Sequence, residues 1–262
     1  MTRLAPRLAV GLIASLALPA FAEDLPQTGA VTGSAESTMT QAERDAFRNE
    51  VRAYLLDHPE VLIEAMDVLQ SREENAALAR DSQFIASNSA VIFANANDWV
   101  GGNPEGDITL VEFMDYRCGY CRKAYQEVEE LVKTDGNIRF VLKEFPILGE
   151  ESLLSSQFAI AVRMLYGDEA YKTAHDALIA LRGEATMDSL SRLAQELGHD
   201  PAAVTGKMGS DEVRAVITAN HELATTLEIN GTPTFVMEKT MVRGYVPLDG
   251  MRQIVEGQRQ DG

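Results

Sequence analysis

The sequence predicts an α/β domain carrying a helical insertion, with a separate helical segment ahead of it. Three observations carry this. An apolar run at 108–114, a helical stretch and a second apolar run at 138–145 follow one another as strand, helix, strand. Residues 147–229 then read as helical throughout, and strand character returns only at 234–237 and 240–243, before a last helical face at Met251, Ile254 and Val255. Strand-helix-strand, helical block, strand-strand-helix is the order of one α/β unit into which helices have been inserted.

The chain opens on Arg3 and Arg7, the apolar run Leu8 to Leu18, and Ala20-Phe21-Ala22 ahead of Glu23. This pattern reads as an export signal at 1–22, cleaved after Ala22, and the run is too short to cross a bilayer as a helix. The expected location is therefore the periplasm, where a cysteine pair persists as a disulfide. Residues 23–39, with Pro26, Gly29 and Gly33, lack hydrophobic periodicity and read as a flexible leader.

Thr40-Gln41-Ala42-Glu43 fits a capping box, after which Phe47, Val51, Tyr54 and Leu55 share one helical face. Asp57-His58-Pro59 interrupts the pattern. A second helix then carries Leu62, Ala65, Met66 and Leu69 and continues through a charged stretch from Arg72 into the mid-80s. The segment 40–97 has a narrow apolar face and little core of its own. That face must be buried against the main domain or against another copy, the latter making a homo-oligomer through residues 40–70.

The main domain spans 98–262. Gly101-Gly102-Asn103-Pro104-Glu105-Gly106 reads as a boundary, and Ile108 to Met114 as the first strand. A helix opens at the cysteine pair and runs to about Lys133; the second strand, Ile138 to Phe145, ends at Pro146. Within the insertion at about 147–229, apolar faces fall at Phe158/Val162/Leu165, at Leu190/Leu193/Ala194/Leu197, and at Val213/Val216/Ile217 continuing to Leu223 and Leu227. The last two strands pair as a hairpin about Glu238-Lys239.

The formal charge is −17 and no Lys/Arg stripe is visible, which argues against nucleic acid as a partner. The acidity reads as a solvated surface that keeps an exported protein soluble.

The only two cysteines of the 262 residues, Cys118 and Cys121, stand where the first strand gives way to a helix. A disulfide closing so small a loop contributes about 2 kcal/mol in the chain-entropy model, and a chain of this length folds without such a staple. Thiol chemistry is the better reading. An ordinary thiol is only about 3 % ionised at pH 7, so a reactive one must be activated. A sulfur in the first turn of a helix meets unpaired backbone N–H groups and the positive end of the macrodipole, both favouring the anion. Cys121, one turn on, is expected to be shielded and to resolve a mixed disulfide formed on Cys118. Gly119 and Tyr120 lie between the sulfurs and influence how strongly the reduced form is preferred. Zinc would need further ligands, and the four histidines, His58, His175, His199 and His221, are scattered, so no metal is expected. Residue 122 is Arg, which excludes covalent haem attachment.

Val111-Glu112-Phe113 through Cys121, with Gly231-Thr232-Pro233-Thr234-Phe235 before the terminal hairpin, resembles the DsbA family of exported thiol-disulfide oxidoreductases. The resemblance implies a thioredoxin-like fold with a helical insertion. It implies Cys118 as nucleophile, Cys121 as resolving thiol, Pro233 as a cis-proline beside the sulfurs with Thr232 before it, and no cofactor beyond the redox-active disulfide Cys118–Cys121. It further implies cysteine-containing secreted proteins as substrates and a membrane redox partner. Glu112 would relay protons to Cys121, with Lys143 nearby on the next strand; an ion pair or a solvent-facing carboxylate is the alternative. The helix pair at 41–69 is similar to the N-terminal segment of a subgroup akin to the suppressor-of-copper-sensitivity protein C, where related segments drive oligomerisation, and Cys-Gly-Tyr-Cys is similar to periplasmic disulfide isomerases. Two other roles stay open: capture of Cu(I) by the reduced pair as a copper-stress protein, and a client-holding chaperone whose insertion offers Met164, Met187 and Met208.

Overall fold

The computed structural model describes residues 39–261. The export signal at 1–22 and nearly all of the leader at 23–39 lie outside the described residues. The chain divides into two compact units, one ending at Val61 and one beginning at Leu62.

The first unit holds α1 (Gln41–Asp57). Its capping box forms as read: the Thr40 hydroxyl accepts from the Glu43 N–H at 3.3 Å, and the Glu43 carboxylate accepts from the Thr40 N–H at 2.7 Å. Capping of this kind contributes about 1 kcal/mol. The helix ends at His58, and none of its residues is buried; Phe47, Val51, Tyr54 and Leu56 are exposed.

Helix α2 (Glu60–Ser87), which from Leu62 onward belongs to the second unit, exposes Leu62, Ile63, Met66, Val68 and Leu69, and buries only Asp81 and Ile85. Short α3 (Ser89–Phe93) follows. The sheet has the order β1-β3-β2-β4-β5, from β1 (Trp99–Gly102), β2 (Ile108–Met114), β3 (Ile138–Glu144), β4 (Thr234–Met237) and β5 (Thr240–Arg243). Strands β2 and β3 run parallel, joined through α4 (Gly119–Asp135); the remaining pairs are antiparallel. The insertion comprises α5 (Glu150–Tyr166), α6 (Asp168–Ala180), α7 (Met187–Glu196), α8 (Pro201–Met208) and α9 (Asp211–Thr226), and α10 (Leu248–Asp261) closes the chain.

Both sheet faces are covered, which is why β2 and β3 read as nearly continuous apolar runs. Leu110, Met114, Phe140 and Leu142 face α4, α10 and the insertion. Val111, Phe113, Val141 and Phe145 face Ile85, Ile92 and the end of α9. Leu165, expected in the core with Phe158 and Val162, is exposed, as are Met164 and Met187, whereas Met208 is buried.

Strand β1 corrects the expected boundary at Gly101-Gly102, which is paired to β3 with Gly101 opposite Phe140. These glycines serve close packing. A Cβ on Gly101 would overlap the Trp99 indole, and one on Gly102 would overlap the Ile138 carbonyl oxygen at a φ of +67°. Trp99 in turn stacks on Tyr171 at 5.6 Å and donates its indole N–H to the Asp168 carbonyl, binding β1 to α6. Gly102→Ala should lower stability by about 2 kcal/mol or more through backbone strain and overlap, read as a lower urea midpoint at unchanged m.

Candidate active site

Strand β2 ends at a buried carboxylate, Asp115, which shapes the turn after it. Its oxygens accept from the N–H groups of Arg117 (2.7 Å), Ile147 (2.8 Å) and Leu148 (3.1 Å) and from the Ser152 hydroxyl (2.8 Å). The Cys118 N–H reaches back to the Asp115 carbonyl at 3.1 Å, and the Cys118 carbonyl accepts from Arg122 N–H to start α4. Cys118 thus occupies the N-cap of α4, where its sulfur accepts from the Cys121 N–H at 3.4 Å in place of the usual Ser or Asp oxygen.

From the far end of the chain comes Thr232-Pro233, a cis peptide, as the family resemblance implies. The Thr232 carbonyl lies 3.2 Å from the Cys118 sulfur. The hairpin holds this loop in place: Thr234 pairs with Arg243, and Gly244 N–H donates to the Pro233 carbonyl at 2.8 Å. The two sequence motifs, separated by more than a hundred residues, therefore meet at one sulfur.

The sulfurs differ sharply. Cys118 is held down to about 5, first by hydrogen bonding from the Cys121 side chain, then by Thr232 and by the N–H groups of Cys121 and Tyr120, which together outweigh its burial. At neutral pH it is almost wholly thiolate. Cys121 is 1 % exposed, and burial, the Cys118 sulfur and the Glu112 charge all push its thiol up. Both are free thiols here.

Glu112 lies on the α4 side of β2, in register with Leu142 and Phe235. It is buried and has no hydrogen-bond or ion-pair partner among the described residues. Burial, reinforced by the charges of Cys118 and Glu129, pushes its carboxyl up to about 8. Of the two alternatives, the ion pair does not form among the described residues, and the carboxyl is largely withdrawn from solvent.

Lys143 is a correction. It stands opposite Phe113, one residue out of phase with Glu112, so the pleat sends the two to opposite faces of the sheet. There Lys143 is fully buried, paired with Asp98 and donating to the Val91 carbonyl at 3.0 Å. It belongs to the packing of α3 and β1 and not to the sulfur site.

Between the cysteines, Gly119 faces open space, and Tyr120 is 63 % exposed with its ring stacked 6.3 Å from Tyr245. Lys123 lies over that same Tyr245 ring at 4.0 Å. Sequence reasoning missed Tyr245, Asp115, Arg117 and Arg122. Arg117 pairs with Glu151 at 3.1 Å, and Arg122 donates to the carbonyls of Tyr116 and Leu181, fastening the head of α4 to the insertion. A charged residue closing an apolar strand was the available signal for Asp115. Among the described residues no group of three or more His, Cys, Asp or Glu is arranged to hold a metal ion.

A fold of this order, with a low-pKa thiol at a helix head beside a buried second thiol, is that of a thiol-disulfide oxidoreductase. The chain belongs to the thioredoxin family, whose model matches residues 94–257, and within it is DsbA/ScsC-like. Residues 43–76 match a second model, the copper resistance protein ScsC N-terminal domain. A thioredoxin-like oxidoreductase from Silicibacter pomeroyi is 40 % identical, with a TM-score of 0.62 over 65 % of this chain and 97 % of that one. ScsC of Proteus mirabilis in a transitional conformation is 25 % identical, with a TM-score of 0.62 over 86 % of this chain and 99 % of that one. Among curated proteins, Na(+)/H(+) antiporter NhaA 1 of Salinispora arenicola is 28 % identical over 60 % of this chain. The chain spans about a quarter of the length of the curated relatives it matches, 24 % of that protein. No described helix is long and apolar enough to cross a membrane.

Two measurements test the site. Thiolate absorbance should titrate with a midpoint near pH 5, and the reduction potential should fall by about 59 mV per pH unit below that midpoint and about 30 mV above it, where the reduced form binds one proton fewer. The sign follows from linkage. A depressed thiol stabilises the reduced protein fully above its unfolded value and not at all once pH has fallen through about 5. Lys143→Met, which strands Asp98 without its partner, should destabilise the fold by about 3–5 kcal/mol in denaturant while leaving the Cys118 midpoint unmoved.

Proposed function

We propose that this chain is an exported enzyme that forms or reshuffles disulfides in secreted proteins, with Cys118 as nucleophile and Cys121 as resolving thiol. The observation that carries the reading is the sulfur at the α4 N-cap, held down to about 5 beside a buried thiol pushed up. The Cys118 thiolate attacks one sulfur of a client disulfide; that S–S bond breaks, the other client sulfur leaves as thiolate, and Cys118 is left in a mixed disulfide. Cys121 then loses its proton, attacks the Cys118 sulfur, and releases the client's second thiolate as Cys118–Cys121 forms. Glu112, buried and otherwise unpartnered, is the group suited to take that proton. Run in reverse, the same steps pass a disulfide to a client, and a membrane partner would restore the oxidised pair. Thr232 and Pro233 would align an extended client against Cys118 by backbone pairing, and Gly119 and Tyr120 would present an open approach. No cofactor beyond the cysteine pair enters these steps.

Localisation in the periplasm is supported by the export signal ending at Ala22. Self-association through residues 40–70 is supported by the exposed apolar side chains of α1 and of the first part of α2, and by the ScsC-type match over 43–76. The copper reading draws support from that same match, yet 43–76 contains no cysteine, and Cu(I) would have to bind at Cys118 and Cys121.

Deletion of residues 40–70 should convert an oligomer to a monomer in analytical ultracentrifugation and lower the rate at which scrambled client disulfides are reshuffled. Full-length protein that sediments as a monomer would exclude the oligomer. Cys118→Ser should abolish client turnover, and retention of half the wild-type rate would remove Cys118 from the nucleophile's role.

A further inference from the structure

Tyr116, two residues before Cys118, is 1 % exposed although it sits in a turn between two charged residues. Its hydroxyl lies 2.8 Å from Glu144 Oε1 and 3.0 Å from His175 Nδ1. Glu144 is itself buried at the end of β3. The same Oε1 accepts from the Tyr171 hydroxyl at 2.6 Å, and Oε2 accepts from the Ser156 hydroxyl at 2.7 Å. Burial pushes the Glu144 carboxyl up to about 7 against the hydrogen bonds that hold it down, and in its ionised form it accepts from all three hydroxyls. A phenol has a single proton, and with Tyr116 donating to Glu144, His175 must donate from Nδ1 to the Tyr116 oxygen. Burial holds His175 down to about 4, so the neutral ring with its proton on Nδ1 is the species at pH 7.

The other end of Tyr116 is also fastened. Its carbonyl accepts from Arg122 Nε at 2.8 Å, and Arg122 is the residue after Cys121. Strand β3, helix α6 and the first turn of α4 therefore converge on one tyrosine, and α5 reaches it through Ser156 and Glu144. Moving its backbone would break the contact to Arg122 or the contact to Glu144, and with it shift the N–H that points at the Cys118 sulfur. Tyr171 makes an instructive contrast: it touches the same carboxyl oxygen and interacts with the Tyr116 hydroxyl, but it stacks on Trp99, and among the described residues it has no hydrogen bond to Cys118, Cys121 or Arg122.

We propose that Tyr116, held by Glu144 and His175, is a positioning residue that sets the reactivity of the Cys118 sulfur through the geometry of the α4 cap, an inference that rests on Cys118 being the nucleophile. The network is otherwise unused by the thiol-disulfide steps. It acts on them only through where it holds the cap.

The test compares full-length wild type, Tyr116→Phe and Tyr171→Phe. Each substitution deletes one hydroxyl from the same Glu144 oxygen, so a purely structural network would lose similar stability from either and move the sulfur in neither. Positioning predicts that Tyr116→Phe raises the Cys118 midpoint by about half a pH unit or more. A less stabilised thiolate weakens the reduced form, so the potential should become more negative, by about 15 mV for half a unit at about 30 mV per tenfold. Tyr171→Phe should leave both readings unchanged. Equal shifts in the two variants, or an unshifted midpoint in Tyr116→Phe, overturn the proposal. Should Tyr116→Phe not accumulate as folded protein, Glu144→Leu takes its place, because it removes the oxygen that accepts from the Tyr116 hydroxyl, and it is expected to give the same upward shift; no shift there overturns it too. A wild-type midpoint near that of an ordinary thiol would instead remove the nucleophile reading on which the inference stands.

Discussion

At the head of any α-helix the first backbone N–H groups lack partners within the helix, and something must accept from them. In α4 that acceptor is the Cys118 sulfur. The substitution of sulfur for the usual oxygen couples a structural need to a chemical one, since the N–H of Cys121 is satisfied best when the sulfur is an anion. The Cys121 side chain, the Thr232 contact and the N–H groups of Cys121 and Tyr120 together make the thiol acidic, and most of the surrounding residues serve to keep the turn that gathers them in place. Asp115 closes the turn, Arg117 and Arg122 tie it to the insertion, and the cis Thr232-Pro233 loop caps it from above.

Five acids are buried in the described chain, and their surroundings separate them by role. Asp115 is closed by four donors and Glu144 by three hydroxyls, while Asp81 is paired bidentately with Arg243 and Asp98 with Lys143. Glu112 alone has no donor among the described residues. A buried carboxyl without donors favours its protonated form and can give or take a proton near neutral pH. The other four are anchors.

The sheet supplies the second constraint. Because it is covered on both faces, a shift of one residue along a strand decides which core a side chain enters. Glu112 and Lys143 illustrate the consequence: adjacent strands, nearly adjacent register, opposite faces. The same period-two rule places Leu142 beside Glu112 and delivers Lys143 to Asp98 at the foot of β1. Strand β1 can occupy that position only because Gly101 and Gly102 carry no Cβ.

Local chemistry was legible in the sequence wherever a residue acts within a turn or two of its own position. The Thr40 capping box, the strand at 108–114, the helix opening at the cysteine pair and the hairpin about Glu238-Lys239 all follow from spacing and side-chain type, and so does the low pKa expected of Cys118. Long-range partnership was not legible, because period and propensity carry no information on what packs across a face. Gly101-Gly102 looks like a break until Trp99 and Ile138 are seen against it, Leu165 looks like core until the face of α5 is set, and Lys143 looks like a partner for Glu112 until the pleat separates them. The sequence alone determined the α/β order and the thiol pair at a helix head, since these depend on neighbours along the chain. Only the tertiary structure decided which carboxyl is buried without a donor and which tyrosine sits between Glu144 and His175, since burial and hydrogen-bond count belong to groups that meet from distant parts of it.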